Sequence, residues 1–343
     1  MLPRPCWEHP NDGRNDVLAL DAGQPQSSPP GPPTGNNVPG WLLVYLNRGV
    51  DGSGNPVFSR EIMPVGQRPL GMGLADFNGD GNVDMGIDNE NTDAVQMLLG
   101  DGNGNFALVQ TVDVGSHPFC DSPHFPAADD FTGDGIPDLL VPCNNNGPIL
   151  MFRGTGEGTM SAPTVIDAGR ANNFGVGGNK ARPHTLALGD FDDSETVDFA
   201  SANTGVAQPD PSISVFANRP WGTFVEAAGS PYQAGTDEGA RTAYVRSAKM
   251  RGSMQASARN HPDLVVTSAA AGGPQRIAVL LGDRSSTGLF EHAPNSPFLV
   301  SPVGAETAPD QVREFTVGDL NGDDKTDVAV VLRSGKVAVL LHG

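Results

Sequence analysis

Cysteine, tyrosine and tryptophan each occur only three times in 343 residues, and there are 21 basic residues against 40 acidic ones. Three cysteines are too few for a disulfide scaffold. A formal charge of −19 offers no basic footprint for phosphate, which argues against nucleic acid as a partner. No apolar run approaches the roughly eighteen residues of a membrane span. The chain also lacks a Gly-x-Ser-x-Gly elbow, a His-Glu-x-x-His zinc helix and a Gly-x-x-x-x-Gly-Lys-Ser/Thr phosphate loop. It has no Asn-x-Ser/Thr sequon. The opening residues, Met1 to Cys6, carry no apolar signal core, so either an export signal has been removed or the chain begins partway into a longer protein.

Turn-forming residues are abundant instead, with 44 glycines and 30 prolines. The most informative stretch is Asp76-Phe77-Asn78-Gly79-Asp80-Gly81-Asn82-Val83-Asp84, which sets oxygen-bearing side chains at alternate positions of a tight loop. Calcium takes six to eight oxygen ligands in a flexible shell, and Asp76, Asn78, Asp80 and Asp84, with a backbone carbonyl near Asn82, supply most of them. The same pattern recurs at Asp319, Asn321, Asp323, Lys325 and Asp327, and with a threonine substituted at Asp130, Thr132, Asp134, Ile136 and Asp138. A weaker copy has Asp190, Asp192, Ser194 and Asp198, with Glu195 where glycine normally turns the chain. Two worn copies end at Asp16 and Asp263, and no calcium is expected at the latter. These are not EF-hands, because position twelve is Ile87 in one loop and Val330 in another, where an EF-hand places a bidentate Glu.

The closing aspartates recur roughly every sixty residues, an internal repeat that outweighs local propensity. An apolar run follows each of them, as in Leu139-Leu140-Val141, and then a second, as in Ile149-Leu150-Met151-Phe152. In five of six units a glycine-bearing turn leads into a further strand, as at Gly100 to Phe106. Four short antiparallel strands repeated about six times predict an all-β fold, a β-propeller of about six four-stranded blades occupying residues 1–343 as one domain. Seven blades would result if another segment completed it.

The combination of Asp-Phe-Asn-Gly-Asp-Gly-x-x-Asp, a strand pair and Gly-Asp-Gly-x-Gly-x-Phe resembles the FG-GAP repeat family and the related VCBS repeats, including the propeller of integrin α subunits. The resemblance covers nearly the whole chain. It implies an extracellular or cell-surface setting and two to four structural Ca2+ ions, but no particular activity, since one scaffold carries many.

Cys120 and Cys143 flank the 130–138 loop and can pair, leaving Cys6 over, or all three can be buried thiols. The Pro-rich segment at 24–33 cannot be a strand and reads as a surface insertion. Long irregular connections gather at the strand ends opposite the calcium loops, where binding usually resides. There Phe174, Lys180, Arg182, Tyr232, Asp237, Glu238 and Arg241 are candidate ligand-binding residues for a protein or glycan. His117, His124 and His184 precede or begin first strands and read as structural hydrogen-bonding residues rather than catalytic ones.

The expected function is therefore an adhesion or recognition module rather than an enzyme. One alternative is a structural subunit of an extracellular filament or surface layer, because the last unit stops after its third strand and leaves an edge open to self-association. A propeller-type polysaccharide lyase or hydrolase is another.

Overall fold

A computed structural model of the chain describes residues 7–8, 14–22, 39–116, 120–144, 147–166, 182–204, 212–234, 240–241, 244–250, 261–270, 275–282, 290–300, 312–332 and 335–342. Its strands assemble into six consecutive antiparallel sheets, the blades of an all-β propeller. The chain divides into two compact units, Met1–Ile166 and Asp167–Gly343, each carrying three sheets.

In the first unit, sheet one contains β1 (Trp7–Glu8), β2 (Asn15–Asp21), β3 (Pro39–Val50) and β4 (Pro56–Gln67). Sheet two contains β5 (Pro69–Ala75), β6 (Asp84–Asn89), β7 (Ala94–Gly100) and β8 (Phe106–Asp113), with a single 3-10 turn at Glu90–Thr92 joining β6 to β7. Sheet three contains β9 (Ala127–Asp129), β10 (Asp138–Pro142), β11 (Ile149–Phe152) and β12 (Thr164–Ile166). Every neighbour pair is antiparallel and the strands follow chain order, as hairpin connections dictate.

In β10 both faces are covered, which is why Leu139-Leu140-Val141 reads as a continuous apolar run rather than an alternating one. β6 and β10 are buried along their whole length. Leu42, Val44, Met85, Ile87 and Leu98 form the core between sheets one and two. Val95, Met97, Leu139, Val141, Leu150 and Phe152 form the next. A close approach is built in here, because a Cβ at Gly73 or Gly86 would stand 2.7 Å from the Leu139 side chain.

In the second unit, sheet four contains β13 (Pro183–Gly189), β14 (Asp198–Asn203), β15 (Ser212–Arg219), β16 (Thr223–Glu226) and β17 (Tyr232–Gln233). Sheet five contains β18 (Ala240–Arg241), β19 (Val245–Ala248), β20 (Asp263–Ala270), β21 (Gln275–Gly282), β22 (Phe290–His292) and β23 (Phe298–Leu299). Among the described residues sheet six has three strands, β24 (Val312–Gly318), β25 (Asp327–Leu332) and β26 (Val337–Leu340). Their cores centre on Ile213, Val215, Leu264 and Val266, and on Val265, Ile277, Phe315 and Val330.

The fourth strand of sheets four and five is split, which the sequence reading did not anticipate. In Ala227-Ala228-Gly229-Ser230-Pro231-Tyr232 and Ala293-Pro294-Asn295-Ser296-Pro297-Phe298, a turn interrupts the strand. The serine hydroxyls of Ser230 and Ser296 accept the N–H groups of Val215 and Val279, each at 3.0 Å, so the third strand keeps its partners across the gap. The shared Ala-x-x-Ser-Pro-aromatic pattern was the available signal.

Candidate functional site

The loop from β5 to β6 shows how the repeated motif works. Asp76 folds its carboxylate back over the turn, Oδ1 accepting from Gly79 N (2.7 Å) and Asp80 N (3.1 Å) and Oδ2 from Gly81 N (2.8 Å). Asp80 Oδ1 accepts from Asn82 N at 2.8 Å. The 130–138 loop reproduces this, with Gly133, Asp134 and Gly135 donating to Asp130 and Ile136 N to Asp134. So does the 319–327 loop, with Gly322, Asp323 and Asp324 donating to Asp319 and Lys325 N to Asp323. Asn78 and Asn321 each donate a side-chain N–H to the following aspartate, Asp80 or Asp323. Thr132 reaches Asp130 only at 3.5 Å.

This turn places positions four and six in left-handed backbone. Glycine supplies it at Gly79 (φ 74°), Gly81 (85°), Gly133 (75°), Gly135 (84°) and Gly322 (80°), but Asp193 (59°), Glu195 (64°) and Asp324 (62°) adopt it with a side chain.

The closing aspartate has a second role that residue spacing alone did not reveal. Asp84 Oδ2 accepts from Phe77 N at 2.9 Å, at the start of the loop, while Oδ1 accepts from Gly100 N at 2.9 Å, at the end of the third strand. Asp138 does the same for Phe131, Thr132 and Gly154, Asp198 for Phe191 and Asn218, and Asp327 for Leu320 and His342. Of the two worn copies, Asp263 keeps both halves, accepting from Met250 and Gly282, whereas Asp16 accepts from Asn47 alone among the described residues. All six carboxyls are buried. Asp84, Asp138, Asp198, Asp263 and Asp327 thus each tie the chain before the second strand to the end of the third. Burial raises the carboxyls of Asp84, Asp138 and Asp198 above the usual range despite these hydrogen bonds, and neighbouring aspartates add to the effect.

Carboxylates converge in the 190–198 loop, where Glu195 stands at a position that glycine holds elsewhere. Asp190, Asp192 and Asp198 each bring one oxygen within 4.8 Å of the others, the only such group among the described residues. Arg219 Nη1 holds Asp192 at 2.8 Å, and Ser194 N caps Asp190 at 3.1 Å. Burial, with Asp192 and Asp190 nearby, pushes Asp198 up to about 7. The donors are all oxygen, carboxylate and hydroxyl, which fits a hard cation such as Ca2+. Asp193 Oδ2 lies 3.4 Å from the buried His261 Nε2, tying this loop to sheet five.

Of the candidate ligand residues, Phe174, Lys180, Asp237 and Glu238 lie outside the described residues. Arg182 offers its carbonyl to Thr204 N (2.8 Å) and Oγ1 (3.2 Å), and Arg241 sits in β18 opposite Ala269. Tyr232 is engaged in folding, its hydroxyl donating to Ala228 O at 2.9 Å and its ring edge-on to Phe290 at 5.5 Å. His184 packs edge-on against Tyr244, with ring centroids 5.2 Å apart. Cys120 and Cys143 form a disulfide, with Cα atoms 5.0 Å apart. No helix among the described residues is long and apolar enough to cross a membrane.

No family model matches the chain, and no curated protein matches it. Solved structures do. A lectin from Agrocybe aegerita, described in its specific recognition of non-reducing terminal N-acetylglucosamine, is 18% identical and aligns with a TM-score of 0.53 over 92% of this chain and 74% of its own. The C-terminal domain of PilY1 from Pseudomonas aeruginosa is 11% identical with a TM-score of 0.45, covering 86% of this chain and 67% of that one. The Tc holotoxin pore of Photorhabdus luminescens is 15% identical with a TM-score of 0.39, covering 88% and 12%. At 18% identity the likeness to the lectin is one of fold.

Proposed function

We propose that this chain is an extracellular, calcium-stapled β-propeller of the FG-GAP/VCBS type, acting as a recognition module for a glycan or protein. The observation that carries the reading is that aspartate turns lock one end of sheets two, three, four and six. The sequence puts its long connections at the other, the usual place for binding. The fold shared with an N-acetylglucosamine-recognising lectin supports the glycan branch. The disulfide accords with an oxidising compartment.

The ions would be held by Asp76, Asn78, Asp80 and Asp84, by Asp130, Thr132, Asp134 and Asp138, by Asp190, Asp192, Ser194 and Asp198, and by Asp319, Asn321, Asp323 and Asp327. Bound calcium supplies positive charge that cancels the mutual repulsion of these carboxylates. The chain's own part is to hold each loop by the backbone bonds described above. A glycan array probed with and without a chelator tests the proposal. Calcium-dependent retention of a defined glycan class supports it, and retention of none removes the glycan branch.

The second reading is a self-associating structural subunit, favoured by the last sheet. β26 pairs only with β25 among the described residues, and Val337, Val339 and Leu341 there are more than half exposed. Size-exclusion chromatography over a concentration series decides it, since a monomer at every concentration leaves this reading without a basis.

A further inference from the structure

One of the four proposed metal loops carries a cation of its own. In the 76–84 and 319–327 loops position three is an amide, Asn78 or Asn321. Its Oδ1 accepts the N–H of the aspartate two residues on, Asp80 or Asp323, at 3.0 Å, and its Nδ2 donates to that aspartate's side chain. In the 190–198 loop position three is a carboxylate. Asp192 Oδ1 accepts from Ser194 N at 3.2 Å, and an oxygen, Oδ2, stands where the amides have an N–H. That oxygen meets Arg219 Nη1 at 2.8 Å.

Arg219 is anchored by the sheet itself. It ends β15, directly after Asn218, whose N–H the closing Asp198 accepts at 2.7 Å. The same Nη1 donates to Asn218 O at 2.9 Å, and Thr196 Oγ1, from the loop, donates to that carbonyl at 3.2 Å. The guanidinium is thus held at the loop by its own strand end as well as by Asp192. The corresponding position, one past the third-strand residue that donates to the closing aspartate, is Asp101 in sheet two, Thr155 in sheet three, Asp283 in sheet five and Gly343 in sheet six. Sheet one has Arg48 there, with Nε donating to Ser59 Oγ at 2.8 Å. Among the described residues Arg219 is the one Lys or Arg ion-paired to a proposed metal ligand.

We infer that Arg219 is a tethered counter-ion for Asp192, so that the 190–198 loop keeps its fold without calcium and is the last of the four to fill. This rests on the calcium reading proposed above, and the oxygen donors Asp190, Asp192, Ser194 and Asp198 fit that ion. Three carboxylates with oxygens within 4.8 Å repel one another, and either a divalent cation or a guanidinium relieves the repulsion. The other three loops, with no such partner among the described residues, take their positive charge from solution. Calcium entering the 190–198 loop meets a positive charge already in place and has to draw Asp192 Oδ2 away from it. Both effects lower its affinity, by about tenfold for a partly exposed unit charge at this range. Arg219 is 44% exposed, which leaves it room to swing into solvent when the ion enters.

The test is hydrogen exchange read loop by loop by mass spectrometry, with calcium and with chelator, on the wild type and on Arg219→Met, which keeps the stem and removes the charge. Calcium titration by calorimetry runs alongside. In chelator, wild-type 190–198 should exchange about as slowly as with calcium, while 76–84, 130–138 and 319–327 exchange faster. In Arg219→Met the 190–198 loop should join them, and the weakest calcium step should tighten about tenfold. A wild-type 190–198 loop that opens on chelation with the others, or a variant unchanged in both readouts, overturns the tether and leaves the calcium reading standing. A wild type that binds no calcium overturns the calcium reading and the filling order with it. The counter-ion role then fails too if exchange at 190–198 is unchanged in Arg219→Met, and holds if it is faster there.

Discussion

Replacing Asp138 with asparagine tests whether the closing aspartate is a structural pin in its own right. The carboxyl is fully buried, Oδ2 accepting from Phe131 N and Thr132 N and Oδ1 from Gly154 N, all at 3.0 Å. Asparagine keeps the shape but has one acceptor oxygen, so its amide N–H groups must face either the two loop donors or Gly154. One buried backbone donor is then left unpaired, at about 1–3 kcal/mol, and the remaining bonds lose their charge assistance. Relief from burying a charge offsets part of this. The net expectation is a loss of about 2–3 kcal/mol, or about 5–10 °C in a unit of this size. The assay is urea and thermal unfolding in excess chelator, so that ion binding does not enter, with Asp134→Asn as an exposed control within about 0.5 kcal/mol of wild type. An Asp138→Asn protein as stable as that control would refute the pin.

Three further outcomes follow from the same geometry. Glu195→Gly should stabilise the protein by about 0.5–1 kcal/mol, because it removes a side chain from left-handed backbone at φ 64°, and an unchanged or lower melting temperature would contradict it. Asp198, raised to about 7, keeps a proton in the folded state that the unfolded chain releases near pH 4, so its contribution favours folding at low pH and fades as pH rises through 7. The metal-free protein should accordingly melt lower at pH 8 than at pH 5.5 and calcium should reverse the slope, whereas a metal-free slope of the opposite sign would show that other groups dominate. Replacing Cys120 and Cys143 together by alanine should cost about 3 kcal/mol, the loop entropy of a bridge spanning 23 residues, measured by denaturant titration under non-reducing conditions. A loss below about 1 kcal/mol would mean the 120–125 segment is held by its other ties, Ser122 N on Asp93 Oδ1 and His124 N on Pro142 O.

The fold was legible in the sequence because both of its signals are periodic. Asp84, Asp138, Asp198 and Asp327 mark where four second strands begin, and Leu139-Leu140-Val141 behind Asp138 reads as a continuous apolar run because β10 is buried on both faces. The split strands at Ser230 and Ser296 were not legible as such. Their repair depends on a hydroxyl reaching across to Val215 or Val279, a pairing that spacing does not encode. In the 190–198 loop, Ser194 and Glu195 depart from the linear pattern, and only the folded chain shows that Asp190, Asp192 and Asp198 each bring one oxygen within 4.8 Å of the others. Tyr232, a candidate ligand residue by sequence, also makes contacts within the fold that its position in the chain does not encode, with the Phe290 ring and Ala228 O. Arg219 lies 27 residues from Asp192, outside the loop motif, and the fold alone pairs them. His124 was read as a structural residue, and only the folded chain brings it to Glu90.

The central claim, that calcium staples these blades, is tested most directly by melting the protein with and without a chelator while counting bound calcium on the same sample by elemental analysis. An ion that binds only the folded state, at a hundredfold excess over its dissociation constant, adds about 2.7 kcal/mol. Two to four ions per chain and a drop of many degrees on chelation are the predicted result. No bound calcium and no shift would contradict it, leaving the aspartate turns held by their backbone hydrogen bonds alone.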